Sequence, residues 1–527
     1  MISWDDPKLL SKESNSYSLL VLLNVLGLTF LSVFSAVSTM VSGDSVQGEL
    51  ALSSTESIWT TTLYLLGVNT TVPVATWFSD HYGYKRMYAI GAALFTFGSL
   101  VAACAFDFSS IASARLIEGI GAGLIFPVGL SMLVQNFSKE KLPIILSLYI
   151  GAVFGAGLGI GLPVSGYLAQ FVSWRAIFWL MVPTGLGGLI SCWLFSIETP
   201  KVPLKTQFDF WGVITFSGFI ASLLIALTLG PLKSTPEGWR TPYILLCFAI
   251  AIICLIAHLF IEKRHPDPII PIILFKDPVF SISALTMFLL GMAIFTGVSV
   301  STDYMLHALH YEKFVTGKIA MIYGIVLALC SILASLLIKW KVPVPLLTLL
   351  GLSFLITSYF LNNRIDWQTG YTQVIQVLIL RGIGVGLSLG PVTIAALTEV
   401  PKHLANNAAT LLTFFRQVGG TYGGTLIAII SIKRTIFHAA RFGEQANQQI
   451  PGYRNTFAKV YNQTFSELAA SAAQAKGKII ANIETQAYIQ GQNDALIVFG
   501  YITAAIAILL LSLNILAWWK KKKAQVE

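Results

Sequence analysis

Apolar runs of membrane-crossing length recur along almost the whole chain, and nothing else in the sequence restricts its fold so strongly. A helix needs about 20 largely apolar residues to cross a bilayer, and there every backbone polar group must be satisfied internally. Runs near 18–40, 57–78, 87–106, 111–136, 143–169 and 174–197 predict a first set of six spans. A pair follows near 211–230 and 242–261, then six more near 280–304, 315–338, 343–361, 371–398, 406–431 and 495–519. The expected fold is therefore an all-α integral membrane protein: residues 1–200 as an N-terminal six-helix half, 201–275 as a linker with two extra spans, and 276–527 as a C-terminal six-helix half. The last half contains a long polar connection, 432–494, with amphipathic helix expected around Thr456–Gln490.

Composition excludes most alternatives. Only 11% of the 527 residues are charged and 55% are hydrophobic, against about 25% charged in an average soluble domain. The net charge of +9 does not imply nucleic acid as a partner, because the basic residues punctuate the spans instead of clustering on a polar face. Their distribution orients the chain. Twelve Lys and Arg, from Lys85 and Arg86 to Lys402, occupy short connections on the side of the termini, where Lys8, Lys12 and Lys520 to Lys523 add six. The opposite short connections hold Arg175, Lys233, Arg240, Lys313, Lys318 and Arg364. Both termini are expected in the cytoplasm. The five cysteines all lie in apolar runs and read as small buried hydrophobes.

The fourth and twelfth spans share a pattern. Gly119-Ile120-Gly121-Ala122-Gly123-Leu124 followed by Pro127-Val128 matches Gly382-Ile383-Gly384-Val385-Gly386-Leu387 followed by Pro391-Val392, each preceded by an arginine, Arg115 or Arg381. Parallel repeats of this kind place a substrate site between two halves, while glycine-rich runs also serve close helix packing.

Between the second and third spans the chain reads Ser79-Asp80-His81-Tyr82-Gly83-Tyr84-Lys85-Arg86, which resembles the Asp-Arg-x-Gly-Arg-Lys signature of the major facilitator superfamily. Further matches are Arg115-x-x-Glu118-Gly119, Gly157 to Gly166, Trp174-Arg175-x-x-Phe178 with Val182-Pro183-x-Gly185, and Arg416-Gln417-x-Gly419-Gly420. With the extra pair of spans and the long outer connection, the full chain is similar to the fourteen-helix drug:proton antiporter family of the EmrB/QacA type. The resemblance implies two six-helix bundles that rock about a central cavity, a small amphiphilic substrate exchanged for protons, and residence as a multi-pass protein in the bacterial plasma (inner) membrane. It also implies docking of a periplasmic adaptor and an outer-membrane channel, as in some relatives.

Three departures from the family pattern stand out. Ser35 aligns with the usual acid of the first span and Asp44 with the proline that ends its motif; Glu118 replaces a glutamine; and Gly161-Leu162-Pro163-Val164-Ser165-Gly166 shifts the proline of the antiporter motif by one. The missing first-span acid keeps open a dedicated carrier of one metabolite, such as a siderophore or lipid-like molecule.

Charged groups inside a bilayer are costly and face a wet cavity or a partner. Arg115 and Glu118, three residues apart on one helix face, are the leading proton-coupling candidates, as an exchangeable acid with its cation or as a permanent structural pair. Asp44 and Asp303 are further candidates. Asp303, His307 and His310 follow i, i+4, i+7 spacing, which suits a proton relay or metal face, but their expected place at the outer water boundary favours a solvated helix end. No metal site or cofactor is expected. Asp80, Gly83, Lys85 and Arg86 form a tight turn that the resemblance makes a conformational latch. Gly157, Gly161, Pro163 and Gly166 form a hinge or a close-packing surface, and Arg381 and Arg416 are buried cations of the C-terminal half. Trp59, Tyr64, Phe126, Tyr149, Phe154, Tyr323, Phe414 and Phe415 are aromatic candidates for a pocket wall. There is no P-loop for ATP, and no His-Glu-x-x-His or Gly-x-Ser-x-Gly motif of an enzyme, so an ion gradient is the expected energy source.

Overall fold

The computed structural model describes residues 15–137, 141–195, 209–230, 238–265, 270–366, 369–398, 400, 404–445 and 472–526. Among them the chain is helical throughout, with short turns and no strand. The first rods are α1 (Asn15–Glu49), α2 (Ser54–Tyr82), α3 (Tyr84–Ala103) and α4 (Phe108–Asn136). The fifth rod combines α5 (Leu142–Ile150), a π-helical turn (Gly151–Ala156) and α6 (Gly157–Phe171), and α7 (Trp174–Phe195) completes the set. Two extra helices follow, α8 (Phe210–Leu229) and α9 (Pro242–Glu262). The C-terminal set is α10 (Pro278–Asp303) with a π turn at Tyr304–Ala308, α11 (Lys313–Lys339), α12 (Val344–Asn362), α13 (Tyr371–Thr398), α14 (Ala405–Gln445) and α15 (Ala472–Val526).

Twelve of these rods are long and apolar enough to cross a membrane. The other two, α2 and α14, fall short for a physical reason. Each carries hydroxyl and amide side chains along its length, including Thr60, Thr61, Asn69, Thr413, Gln417 and Thr421, and these two helices face each other across the middle of the molecule. The local stops are readable in the side chains. Ser53 caps α2 through a reciprocal pair with Glu56, and Asp107 caps α4 through Ser110.

The helices sort into two bundles. In the first, α4 packs on α2 and α3, α7 on α3, and α1 on α6 and α7; in the second, α10 and α15 pack on α14, and α13 on α11 and α12. The bundles meet along two seams, α11 against the fifth rod and α14 against α2. The α11 seam is closed by glycine. A Cβ on Gly324 would lie 2.3 Å from the Gly159 nitrogen, and one on Gly317 would lie 2.6 Å from the Leu162 oxygen, so only bare backbones allow this approach. The extra helix α8 leans on the α2–α14 seam, where the Tyr422 hydroxyl donates to the Ile220 carbonyl at 3.1 Å.

The described residues of the connection expected as a long loop at 432–494 are helical. The rods α14 and α15 run through it to Gln445 and from Ala472, and Arg434 and His438 both meet Asp494 where they leave the span region. Of the amphipathic stretch expected at Thr456–Gln490, the part from Ala472 continues without a break into the last span; residues 446–471 lie outside the described residues.

Candidate functional site

Between the bundles lies a cavity of about 390 Å³, the size of a drug-like ligand site. Its walls come from α1 (Ala36, Thr39, Met40), α2 (Ser57 to Leu65), α8 (Leu227, Thr228), α10 (Phe295, Ser299, Asp303) and α14 (Gly420, Thr421, Gly424, Thr425). It extends from mid-helix toward the ends opposite the α2–α3 turn. Small hydroxyl residues dominate the lining, and Phe295 is its one aromatic. The expected aromatic wall is therefore not the one found. Phe126 stacks on Phe154, Phe414 packs on Phe216, and Tyr64 lies under Arg115.

Toward the α2–α3 turn, the cavity is shut by cross-bundle hydrogen bonds. Asn69 Nδ2 donates to Thr421 Oγ1 at 2.8 Å, and the hydroxyls of Thr76 and Thr410 touch farther along. At the turn itself Asn406 Nδ2 donates to the Tyr84 hydroxyl at 2.7 Å, and Tyr84 donates to Asp80. Gly83 joins α2 to α3 at φ +100°, a conformation that L side chains rarely adopt. Asp80 and Gly83 thus sit inside the bridge between the bundles. Lys85 is half-buried, with its carbonyl 3.7 Å from Cys192 Sγ, and Arg86 is exposed. Tyr84, Asn69, Asn406 and Thr421 escaped the sequence reading, because partners so far apart along the chain leave no local spacing signal.

A cluster of charge lies directly behind the wall. Arg115 and Glu118 are fully buried and paired at 2.6 Å. Arg115 Nη1 also donates to Ser35 Oγ at 2.7 Å, and Ser35 donates to Glu118 Oε1 at 2.7 Å; Ser99 adds a bond to the same oxygen at 3.0 Å. The guanidinium lies 4.3 Å over the Tyr64 ring, and its Nε donates to the carbonyl of Thr60, a cavity-lining residue. Glycine makes this possible, since a Cβ on Gly119 would lie 2.2 Å from the Tyr64 carbonyl oxygen, and one on Gly98 2.6 Å from the Glu118 nitrogen. Ser35, the residue at the place of the usual first-span acid, touches the acid that stands on α4.

Other expectations change. Asp303 ends α10 and lines the cavity, with Asp44 and His307 as neighbours. His307 lies in the π turn after Asp303 and stays within reach of it, whereas His310 falls beyond that turn and leaves the helix at φ +53°. No group of metal-ligating side chains occurs among the described residues. Gly157 and Gly161 face Val33 and Phe34 of α1, Gly166 faces the Lys313 carbonyl, and Pro163 is met by Gly317. The irregular turn of this rod precedes them, at Gly151–Ala156.

The two arginines of the repeat are not equivalent. Gly119 packs on the Tyr64 carbonyl as Gly382 packs on that of Tyr323. This register puts Arg381 in the place of Glu118 and Leu378 in that of Arg115. Arg381, wholly buried, donates to the Gly297 carbonyl at 2.8 Å and to Ser301 at 3.2 Å. Arg416 lies 4.4 Å over the Phe154 ring, across the seam.

A family model described as Major Facilitator Superfamily matches residues 23–424. The chain belongs to the major facilitator superfamily. It is 25% identical over 490 residues to the uncharacterized MFS-type transporter YhcA of Bacillus subtilis, covering 92% of this chain and 91% of that one. It is 22% identical to the multidrug export protein EmrB of Haemophilus influenzae, covering 88% and 90% of the two chains. The solved structure of a bacterial homologue of the human lysosomal transporter Spinster, inward-facing and unoccupied, aligns over 94% of this chain and 97% of its own with a TM-score of 0.58 at 14% identity. The protein is a multi-pass membrane transporter of this superfamily, not an enzyme.

Proposed function

We propose that this transporter is a proton-coupled antiporter of the bacterial inner membrane that exports amphiphilic drugs or toxic compounds by alternating access, with both termini in the cytoplasm. The observation that carries this reading is the Arg115–Ser35–Glu118 cluster behind the Thr60 wall of the cavity. A dehydrated carboxylate held by one guanidinium is stable while charged. When Glu118 takes up a proton the pair is discharged, and Arg115 is left as a lone buried cation that favours the arrangement in which water reaches it. Protonation then biases which side of the cavity is open. Relatives whose names describe multidrug export or transport, EmrB of Haemophilus influenzae and MdtP of Bacillus subtilis, support the substrate class. The functional units would divide near residues 200 and 275, and the helical extensions beyond the outer ends of α14 and α15 would meet a periplasmic adaptor leading to an outer-membrane channel.

Absence of an acid at position 35 favoured a dedicated metabolite carrier. The contact of Ser35 with Glu118 answers that absence, since the carboxylate occupies nearly the same place from a neighbouring helix. The test uses vesicles containing the purified protein, an imposed pH gradient, several unrelated dyes and a trapped pH indicator. Wild type should move dye and protons in opposite directions, and Glu118→Gln should lose the proton movement. Undiminished coupled exchange in Glu118→Gln would remove the basis of the proposal.

A further inference from the structure

The cavity between the bundles is one-sided in its hydrogen bonding. Among its described lining residues there is no Lys, Arg, His, Asn, Gln, Trp or Tyr, so no side-chain N–H lines it. Its polar wall is built from Ser and Thr hydroxyls and one carboxylate, Asp303. Most of those hydroxyls have already committed their single proton. Thr60 donates to the Ser57 carbonyl at 2.7 Å, Thr62 to that of Ile58 at 3.0 Å, Thr421 to that of Gln417 at 3.0 Å and Thr425 to that of Thr421 at 3.1 Å, while Thr61 donates to the Thr39 hydroxyl at 3.2 Å. A hydroxyl that has given its proton to its own helix offers a ligand only lone pairs, and to donate it must first break that bond. Thr421 shows the outcome, since its oxygen accepts from Asn69 at 2.8 Å.

Charge points the same way. Asp303 is the one charged side chain on the described lining, and Asp44 is close to it; His307 is exposed and does not line the cavity. Arg115, behind the Thr60 wall, is answered by Glu118, so the pair adds no net charge. A carboxylate beside a wall of acceptors matches a cation that brings its own N–H bonds, because charge-assisted hydrogen bonds are the strong ones. A quaternary ammonium has no N–H and is held best by a cage of aromatic faces, whereas Phe295 is the only aromatic on the described lining. An anion would set acceptors against acceptors and leave them unpaired.

We infer that the cavity selects amphiphiles bearing a protonated primary amine over quaternary ammonium, neutral and anionic amphiphiles, with Asp303 of α10 answering the charge and threonine oxygens of α2 and α14 taking the N–H bonds. That such a compound is exported rests on the function proposed above; that the cavity prefers it does not.

The full-length protein in phosphatidylcholine nanodiscs is titrated calorimetrically at neutral pH with decylammonium, decyltrimethylammonium, decanol and decanoate, with empty nanodiscs subtracted. Decylammonium should bind about tenfold or more tightly than either decyltrimethylammonium or decanol, as expected for hydrogen bonds from a charged group, and decanoate should bind more weakly still. Asp303→Asn should bring decylammonium down to the level of decanol. Thr61→Val combined with Thr425→Val, which keeps side-chain shape and removes two acceptors, should cut the advantage over decyltrimethylammonium about threefold. Thermal unfolding in the same nanodiscs reports whether each variant is folded, and the wild-type ranking is a test that needs no variant. Decyltrimethylammonium binding as tight as decylammonium, decanoate binding tighter than decylammonium, or an advantage unchanged in both folded variants overturns the inference. The titration needs neither gradient nor turnover, so its failure and a failure of proton coupling are read separately.

Discussion

Moving the carboxylate of the buried cluster from α4 to α1 tests whether Ser35 and Glu118 are alternative seats for one charge. Glu118→Gln leaves Arg115 without the anion now 2.6 Å away. Breaking a buried pair by removing one partner costs about 3–5 kcal/mol, and because glutamine still accepts hydrogen bonds the lower end, about 3 kcal/mol, is expected. Ser35→Asp alone puts a second carboxylate where a hydroxyl now stands 2.7 Å from Glu118. Two such acids cannot both ionise, so one takes up a proton, at a cost of about 1 kcal/mol after it replaces the serine hydrogen bond. In the double variant the carboxylate introduced by Ser35→Asp faces Arg115 from the serine position, where the hydroxyl now lies 2.7 Å from the guanidinium, and a neutral amide fills the place of Glu118. Its stability should return to within about 1 kcal/mol of wild type, a favourable coupling of about 3 kcal/mol. Unfolding midpoints in mixed dodecyl sulfate and dodecyl maltoside measure the cycle, and dye-driven proton movement in vesicles measures function. Additive single effects, within about 0.5 kcal/mol, would refute the idea of one charge with two seats.

Three further outcomes are expected. Tyr84→Phe removes the hydroxyl that joins Asp80 to Asn406, so the thiol of a Thr421→Cys variant should react faster with a membrane-impermeant maleimide from the α2–α3 side; an unchanged rate would mean the bridge does not hold that side shut. Gly324→Ala places a Cβ 2.3 Å from the Gly159 nitrogen, against backbone that has no side chain to move aside, and should lower stability by about 1–3 kcal/mol, checked by thermal aggregation in detergent. Asp107 caps α4 outside the span, and the Ser110 hydrogen bonds hold its carboxyl below the ordinary aspartate range. A depressed value stabilises the fold above the unfolded value and is lost as pH falls through the folded one. Asp107→Asn should therefore flatten the acid limb of stability below about pH 4, and an unaltered limb would count against the cap.

The rods were legible in the sequence because bilayer length and apolarity are local properties, and even α2 and α14, the least apolar, were read as apolar runs at 57–78 and 406–431. Gly83 was legible for the same kind of reason, since a turn of one residue between two helices demands a backbone that only glycine adopts easily. The site was legible in part. Arg115 and Glu118 meet because their spacing on one helix brings them together, whereas Ser99, Tyr84 and the Asn69–Thr421 bond depend on which helices become neighbours. Asp303, His307 and His310 show how a regular spacing misleads: His307 stays near Asp303, but the helix ends before His310. In the outer connection, helix was expected around Thr456–Gln490, and its described part, from Ala472, is helical; that α14 continues to Gln445 was not read.

That polar helix has a mechanical corollary. At 1.5 Å per residue, the stretch of α15 from Ala472 to the start of its apolar span, about 23 residues, rises about 35 Å. Clamped to α14 at Asp494 and packed on it at Gly491, it would move with that bundle as a mast stepped into it. A tilt of about 10° at its foot would swing its top about 6 Å. Anything seated up there would feel each stroke of the cycle several times enlarged, without ever touching the cargo.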